Sequence, residues 1–123
     1  MAHVVRMNSH RKLHIWILSQ QLIALVYELC DALPKSEAFV AEPQVKRAAW
    51  SVQNNIAEGN ARRGRAERHR FFNIALSSLA EVDSMLGSLP ELYPIDQATL
   101  DSAEVLRKQI TAGVLAMIKK GRK

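Results

Sequence analysis

Ser51, Asn55 and Glu58 stand four and three residues apart, so on a helix they share one face. A hydroxyl, an amide and a carboxylate in line can do one of two things. Facing another helix, they form a hydrogen-bonded seam that fixes register, as a single buried amide does at some cost in stability. Facing outward, they line a small polar pocket or a surface for a partner. The alanine-rich stripe beside them predicts the seam, with the pocket as the alternative. Glu81, near the middle of a later helical stretch, extends this polar set and has Arg47 or Arg62 as prospective ion-pair partners.

Directly after this segment comes Arg62-Arg63-Gly64-Arg65, continued by Arg68, His69 and Arg70 and opposed only by Glu67. Guanidinium groups grip phosphates in a fork and stack on bases, so such a run attracts a nucleic-acid backbone with marked salt dependence. Arg62, Arg63, Arg65 and Arg68, with Lys46 and Arg47 upstream, are the candidate nucleic-acid-binding residues, for RNA or DNA. Trp50 is close enough in sequence to offer base stacking. The competing reading is a solvated corner whose arginines pair with acids on neighbouring helices. A second basic set, Arg6, His10, Arg11, Lys12 and His14, lies at the chain start.

Other chemistry finds no residues to carry it. His10 and His14 have the i,i+4 spacing of a metal pair, but no third ligand stands nearby in sequence. Glu-x-x-His, the di-iron bundle signature, does not occur: Ala61 follows Glu58 and Arg70 follows Glu67 at that offset. There is no phosphate-binding glycine loop and no nucleophile motif. The expectation is a non-enzymatic protein with no catalytic residues, no metal and no cofactor.

The elements that must position these residues are helical. At 123 residues the chain can bury a core without disulfide or metal support, and one domain is expected over 1–123, ordered from about 10 to 118. The single cysteine, Cys30, cannot form an internal disulfide. Its apolar surroundings predict a buried thiol, and that usage fits a reducing cytoplasm. No secretory signal or membrane span is expected, since the run Leu22–Tyr27 is far too short to cross a bilayer. A net charge of +5 and a pI near 9.7 favour an acidic partner.

Apolar residues recur with helical spacing almost throughout. A first helix is expected from about Leu13 to Leu33, with Leu18, Leu22, Leu25 and Leu29 as its stripe and Pro34 as its stop. A second starts near Pro43 and carries Val45, Ala48, Ala49, Val52 and Ile56, with Gly59 expected to cap it in a left-handed conformation. A third runs from Gly64 as N-cap to about Leu89, where Pro90 and Pro94 end it. Phe72, Ala75, Leu79, Val82 and Leu86 form its stripe, widened by Phe71, Ile74, Met85 and Leu89. Asp96 caps a fourth, which carries Leu100, Ala103, Leu106, Ile110, Val114 and Met117. No segment reads as a strand. Short connections predict an all-α, up-down-up-down antiparallel four-helix bundle.

The first helix is apolar on a further side. Trp16, Ile23, Tyr27 and Cys30, spaced by seven, four and three, lie nearly opposite the leucine stripe. A bundle buries one broad stripe per helix. The extra one predicts self-association through Trp16, Ile23 and Tyr27.

Several segments together resemble one family. Ser51-Val52-Gln53-Asn54-Asn55-Ile56-Ala57-Glu58-Gly59 resembles the Ser-Ile-Pro-Ser-Asn-Ile-Ala-Glu-Gly signature of the 23S ribosomal RNA intervening-sequence proteins. Leu33-Pro34-Lys35-Ser36-Glu37-Ala38-Phe39 is similar to that family's Phe-Pro-x-x-Glu-x-Phe turn, and Gln44-Val45-Lys46-Arg47-Ala48 to its Gln-Leu-x-Arg-Ala segment. Phe72-Asn73-Ile74-Ala75, through Ser77 and Ser78 to Glu81, is similar to its Phe-Leu-x-Ile-Ala-x-Gly-Ser-x-x-Glu stretch. Gln53 stands where the family has a kinking proline, and Ser77 where it has a glycine. The resemblance implies a bacterial, cytosolic four-helix protein that assembles as a homopentamer. Related accessory proteins of diversity-generating retroelements bind RNA and a reverse transcriptase through a basic pentameric barrel. That implies an RNA-binding or ribonucleoprotein accessory role, with a protein–protein scaffold as the alternative.

Overall fold

A computed structural model describes residues 13–120. Within them stand four α-helices: α1 (His14–Asp31), α2 (Ala41–Ala61), α3 (Arg65–Leu92) and α4 (Gln97–Lys120). A short 3-10 turn, Lys35–Glu37, lies between α1 and α2. The described residues contain no strand, in agreement with the all-α expectation. Each helix packs against its neighbours in sequence, and α1 also packs against α4, closing the set. No described helix is long and apolar enough to cross a membrane. Arg6, His10, Arg11 and Lys12 lie outside the described residues, so the His10/His14 pair does too.

The contacts between helices follow a consistent order. Gly59 abuts Phe72, Ser51 meets Ser78 and Gln44 meets Glu81, so partner numbers rise along α3 as they fall along α2. Likewise the start of α1 meets the later part of α4, where Ile15 lies against Gly113. The core draws on all four helices. Every stripe residue expected for α2 is buried, as are Phe72, Ala75, Leu79, Val82 and Leu86 of α3.

The first helix buries a different set from the one expected. Val26 is fully buried, whereas Leu25 is only partly so. Ile15, Leu18, Leu22, Val26 and Leu29 face the core, and Ile23 and Cys30 join them at 7% and 3% exposure. Half of the supposed outward stripe is therefore covered within the chain itself. The reason is that α1 contacts both α2 and α4, so its buried arc is wider than a single stripe. Burial first, and then the Glu42 carboxylate, push the Cys30 thiol up to about 11. Thiol reagents near neutral pH should therefore modify Cys30 only at the rate of opening, checked by comparing labelling in native and denatured protein. On α3, Ile74 is exposed rather than part of the core.

Two punctuation marks also behave differently. Gly59 does not cap α2. It sits inside the helix, no described glycine has a positive φ, and the helix runs on to Ala61. Gly59 is needed for close approach: a Cβ there would lie 2.6 Å from Phe72 Cε1. Pro90 does not end α3, which continues to Leu92. In a last turn a proline forfeits one hydrogen bond, and buried Leu86 and Leu89 hold the segment in place. Gly87 is in the same helix with open space around its missing Cβ. Gly87→Ala should therefore raise stability by about 0.5–1 kcal/mol, measured by denaturant unfolding.

Two polar clasps finish the ends. The Tyr93 hydroxyl donates to Glu37 Oε2, and Glu37 Oε1 accepts the Ala41 N–H at 3.2 Å. One carboxylate thereby joins the connection before α2 to that before α4. Asp96 caps α4 as expected, accepting from the Thr99 N–H at 3.0 Å and the Thr99 hydroxyl at 2.8 Å. These bonds hold the Asp96 carboxyl below its usual range. A folded-state pKa below the unfolded one contributes stability above the unfolded value, lost as pH falls through the folded one. Asp96→Ala should lower the melting temperature at neutral pH and flatten its acid dependence, and Asp96→Asn should restore most of the neutral-pH loss. Thermal melts across pH check both.

Candidate nucleic-acid interface and apolar groove

The polar set of Ser51, Asn55, Glu58 and Glu81 separates into three parts. Ser51 Oγ and Ser78 Oγ are 2.7 Å apart across α2 and α3. Asn55 Nδ2 donates back to the Ser51 carbonyl at 2.8 Å and to Ser51 Oγ at 3.1 Å. This is a short hydrogen-bonded seam, and its second serine belongs to α3. Glu58 lies outside it, with its side chain about half exposed and paired with Arg62 at 2.9 Å. Glu81 pairs with neither Arg47 nor Arg62. It accepts a long contact from Gln44 Nε2 at 3.4 Å, since Gln44, and not an arginine, is the α2 residue opposite it. The four residues form no common pocket.

The basic run sits where α2 ends and α3 begins, and its members have different duties. Arg68 Nη1 donates to the carbonyls of Asn60 and Arg62, each at 3.3 Å. It thus satisfies acceptors left at the end of α2. Arg62 and Arg70 flank the Phe71 ring at 5.0 and 4.5 Å from its centroid. Arg62 also pairs with Glu58, and Arg70 pairs with Glu67 at 3.4 Å. Such exposed pairs are weak and break at small cost. Arg63 and Arg65 are exposed and have no ion pair or hydrogen bond among the described residues. His69 belongs to the run by sequence, but its Nε2 is buried and has no hydrogen-bond partner among the described residues.

Lys46 and Arg47 lie elsewhere. At 1.5 Å per residue they are roughly 20 Å along α2 from Arg62 and Arg63. Lys46 pairs with Glu42 at 2.8 Å and sits 4.2 Å from the centre of the Tyr27 ring. The bond to Glu42 raises the Lys46 ammonium above its ordinary pKa. Arg47 is exposed. Trp50 is also remote from the arginine run. Its indole N–H donates to Tyr27 Oη at 3.0 Å, so it belongs to the surface between α1 and α2.

That surface is a groove lined by Trp16, Gln20, Ile23, Tyr27, Trp50 and Gln53. It contains the three residues expected to mediate self-association, with Tyr27 41% exposed and Ile23 forming the floor. Trp50 and Gln53 were not expected there. Their signal was present in the sequence: Lys46, Trp50, Gln53 and Ala57 repeat at four, three and four residues, as Trp16, Gln20, Ile23 and Tyr27 do on α1. Among the described residues no cluster of three or more histidine, cysteine or acidic side chains is placed to hold a metal.

Residues 11–116 match the family model described as 23S rRNA-intervening sequence protein. No curated protein matches the chain.

Proposed function

Because the chain belongs to the 23S rRNA-intervening sequence protein family, we propose that it is a non-enzymatic, cytoplasmic accessory protein that binds RNA as a homo-oligomer, a pentamer in the reading its resemblance favours. Each subunit is an up-down-up-down antiparallel bundle. In that topology Lys119 and Lys120, at the end of α4, join the arginine end of the molecule. The observation that carries the proposal is the pair of exposed, unpartnered guanidinium groups, Arg63 and Arg65, beside the Arg62–Phe71–Arg70 stack. Phosphates meet Arg62, Arg63 and Arg65. Arg68 supports their backbone, and Lys46 and Arg47 stand apart as a secondary contact. Self-association runs through Trp16, Ile23 and Tyr27. Repeating the corner around a ring multiplies weak contacts into avidity.

The test is a mobility-shift titration with RNA and DNA side by side across salt, on protein whose assembly state has been measured by light scattering. Retention at low salt that declines steeply with ionic strength is expected. An assembled protein that retains neither nucleic acid at low salt would overturn the RNA reading. A protein–protein scaffold is the second reading. Phe39 at 93% exposure, with Val40 and Leu92 also exposed, favours it, and a defined protein partner held equally after nuclease treatment would establish it.

A further inference from the structure

The end of the molecule remote from the arginine run carries the reverse charge. Residues 28–42 and 89–101 hold seven acidic residues and one basic residue, Lys35, in a chain whose net charge is +5. Two observations bring these segments together. The Tyr93 hydroxyl donates to Glu37, and Glu28, Leu29 and Ala32 line one hollow with Ile95, Asp96 and Thr99. The 21 residues of α2 hold this end about 30 Å from Arg62. Three apolar side chains face water here: Phe39 at 93% exposure, Leu92 at 68% and Val40 at 62%. Their backbone is fixed. The Ala38 N–H donates to the Lys35 carbonyl at 3.0 Å, the Val40 N–H to the Glu37 carbonyl at 3.1 Å and the Tyr93 N–H to the Leu89 carbonyl at 2.9 Å. An apolar patch already held in place loses little freedom when it is covered, which suits it to a partner.

Charge selects that partner. Glu91 adjoins Leu92, and Asp31 closes α1 at the same end. Both are exposed, and neither has an ion pair among the described residues. Carboxylates repel nucleic-acid phosphates and anionic lipid headgroups, and two copies of this end repel each other. A cationic segment is attracted. We infer that this end binds a second protein through a segment in which lysines or arginines flank an apolar side chain. The apolar side chain rests on Phe39, Val40 and Leu92, and the cations meet Asp31 and Glu91. Phe39 is the anchor, because a large aromatic ring that leaves water on contact carries most of the gain. This binding rests on the protein-scaffold reading above, to which it gives a surface and a class of partner, and is independent of RNA at the arginine run. The two ends do not compete, so one chain holds a basic protein and an RNA at the same time.

The test uses the full chain and a displayed library of short random peptides, panned on the wild type after depletion on a Phe39→Ser/Leu92→Ser variant. Both positions are exposed, so the variant should keep the circular dichroism of the wild type. Enriched peptides should combine lysines or arginines with an apolar residue. Synthesised and labelled, they should bind the wild type roughly 10-fold more tightly than the variant in anisotropy titrations, with affinity falling as salt rises. Asp31→Lys with Glu91→Lys, which leaves the apolar patch intact, should weaken them as much. Arg63→Glu with Arg65→Glu should leave peptide binding unchanged, so peptide binding and RNA binding are lost separately. No enrichment over the variant, enrichment of acidic or uncharged peptides, or indifference to the charge reversal would overturn the inference. So would altered sedimentation of the Phe39→Ser/Leu92→Ser variant, which gives this end to a second copy, or loss of its RNA retention, which gives it to nucleic acid. A protein partner that survives nuclease treatment and ignores the Phe39→Ser/Leu92→Ser change would sink this site while leaving the scaffold reading in place.

Discussion

Phe72→Ala is expected to lower the free energy of unfolding by about 3–5 kcal/mol, a large part of the ~5–15 kcal/mol that holds a domain together. Phe72 is fully buried, and its ring edge occupies the gap left by the missing side chain of Gly59. Removing the ring opens a cavity at the closest approach of α2 and α3. Gly59→Ala acts from the other side. Alanine favours a helix interior over glycine by about 0.8–1 kcal/mol, but its Cβ would stand 2.6 Å from Phe72 Cε1. A buried ring cannot swing away as a flexible chain end can, so overpacking costs roughly 1–3 kcal/mol and wins. The pair should be strongly coupled. Gly59→Ala, destabilising in the wild-type chain, should become neutral or favourable beside Phe72→Leu. Urea unfolding of the four proteins in the cycle measures that coupling; additive effects would mean that the two residues do not share the space assigned to them.

Arg63→Glu with Arg65→Glu is expected to lower affinity for RNA roughly 100-fold at low salt and to reduce the salt slope by about 2 for each engaged subunit. Both side chains are exposed and without partners, so stability should be nearly unchanged. Arg68→Ala separates the two duties of the run. It removes the donor to the Asn60 and Arg62 carbonyls and should lower stability by about 1–2 kcal/mol. Its salt slope should stay close to that of the wild type. Anisotropy titrations with labelled RNA, paired with thermal melts, distinguish the outcomes. A doubly reversed variant that binds as well as the wild type would remove the arginine corner from the interface.

These substitutions touch features that were unequally legible. The stripe of α3 could be read directly, because Phe72, Ala75, Leu79, Val82 and Leu86 repeat with the helical period and are all buried. The role of Gly59 could not. A glycine near a helix end is equally suited to a left-handed cap and to close packing, and only the position of the Phe72 ring separates these uses. The arginine run was plain in the sequence, but its division of labour was not. Arg68 reaches back eight residues to Asn60, a contact that depends on how sharply the chain turns between α2 and α3.

Local order along the chain therefore determined the helices, their approximate ends, the Asp96 cap and the family. Each of these depends on neighbours within one or two turns, whose spacing a linear string preserves. Tertiary packing alone decided which side of α1 is covered, since Ile23 and Cys30 are buried by helices distant in sequence. It likewise brought Trp50 and Gln53 to the groove with Trp16 and Tyr27. A helix is a rod: residues close in number can point to opposite sides of it, and residues on different rods meet only when packing sets the register.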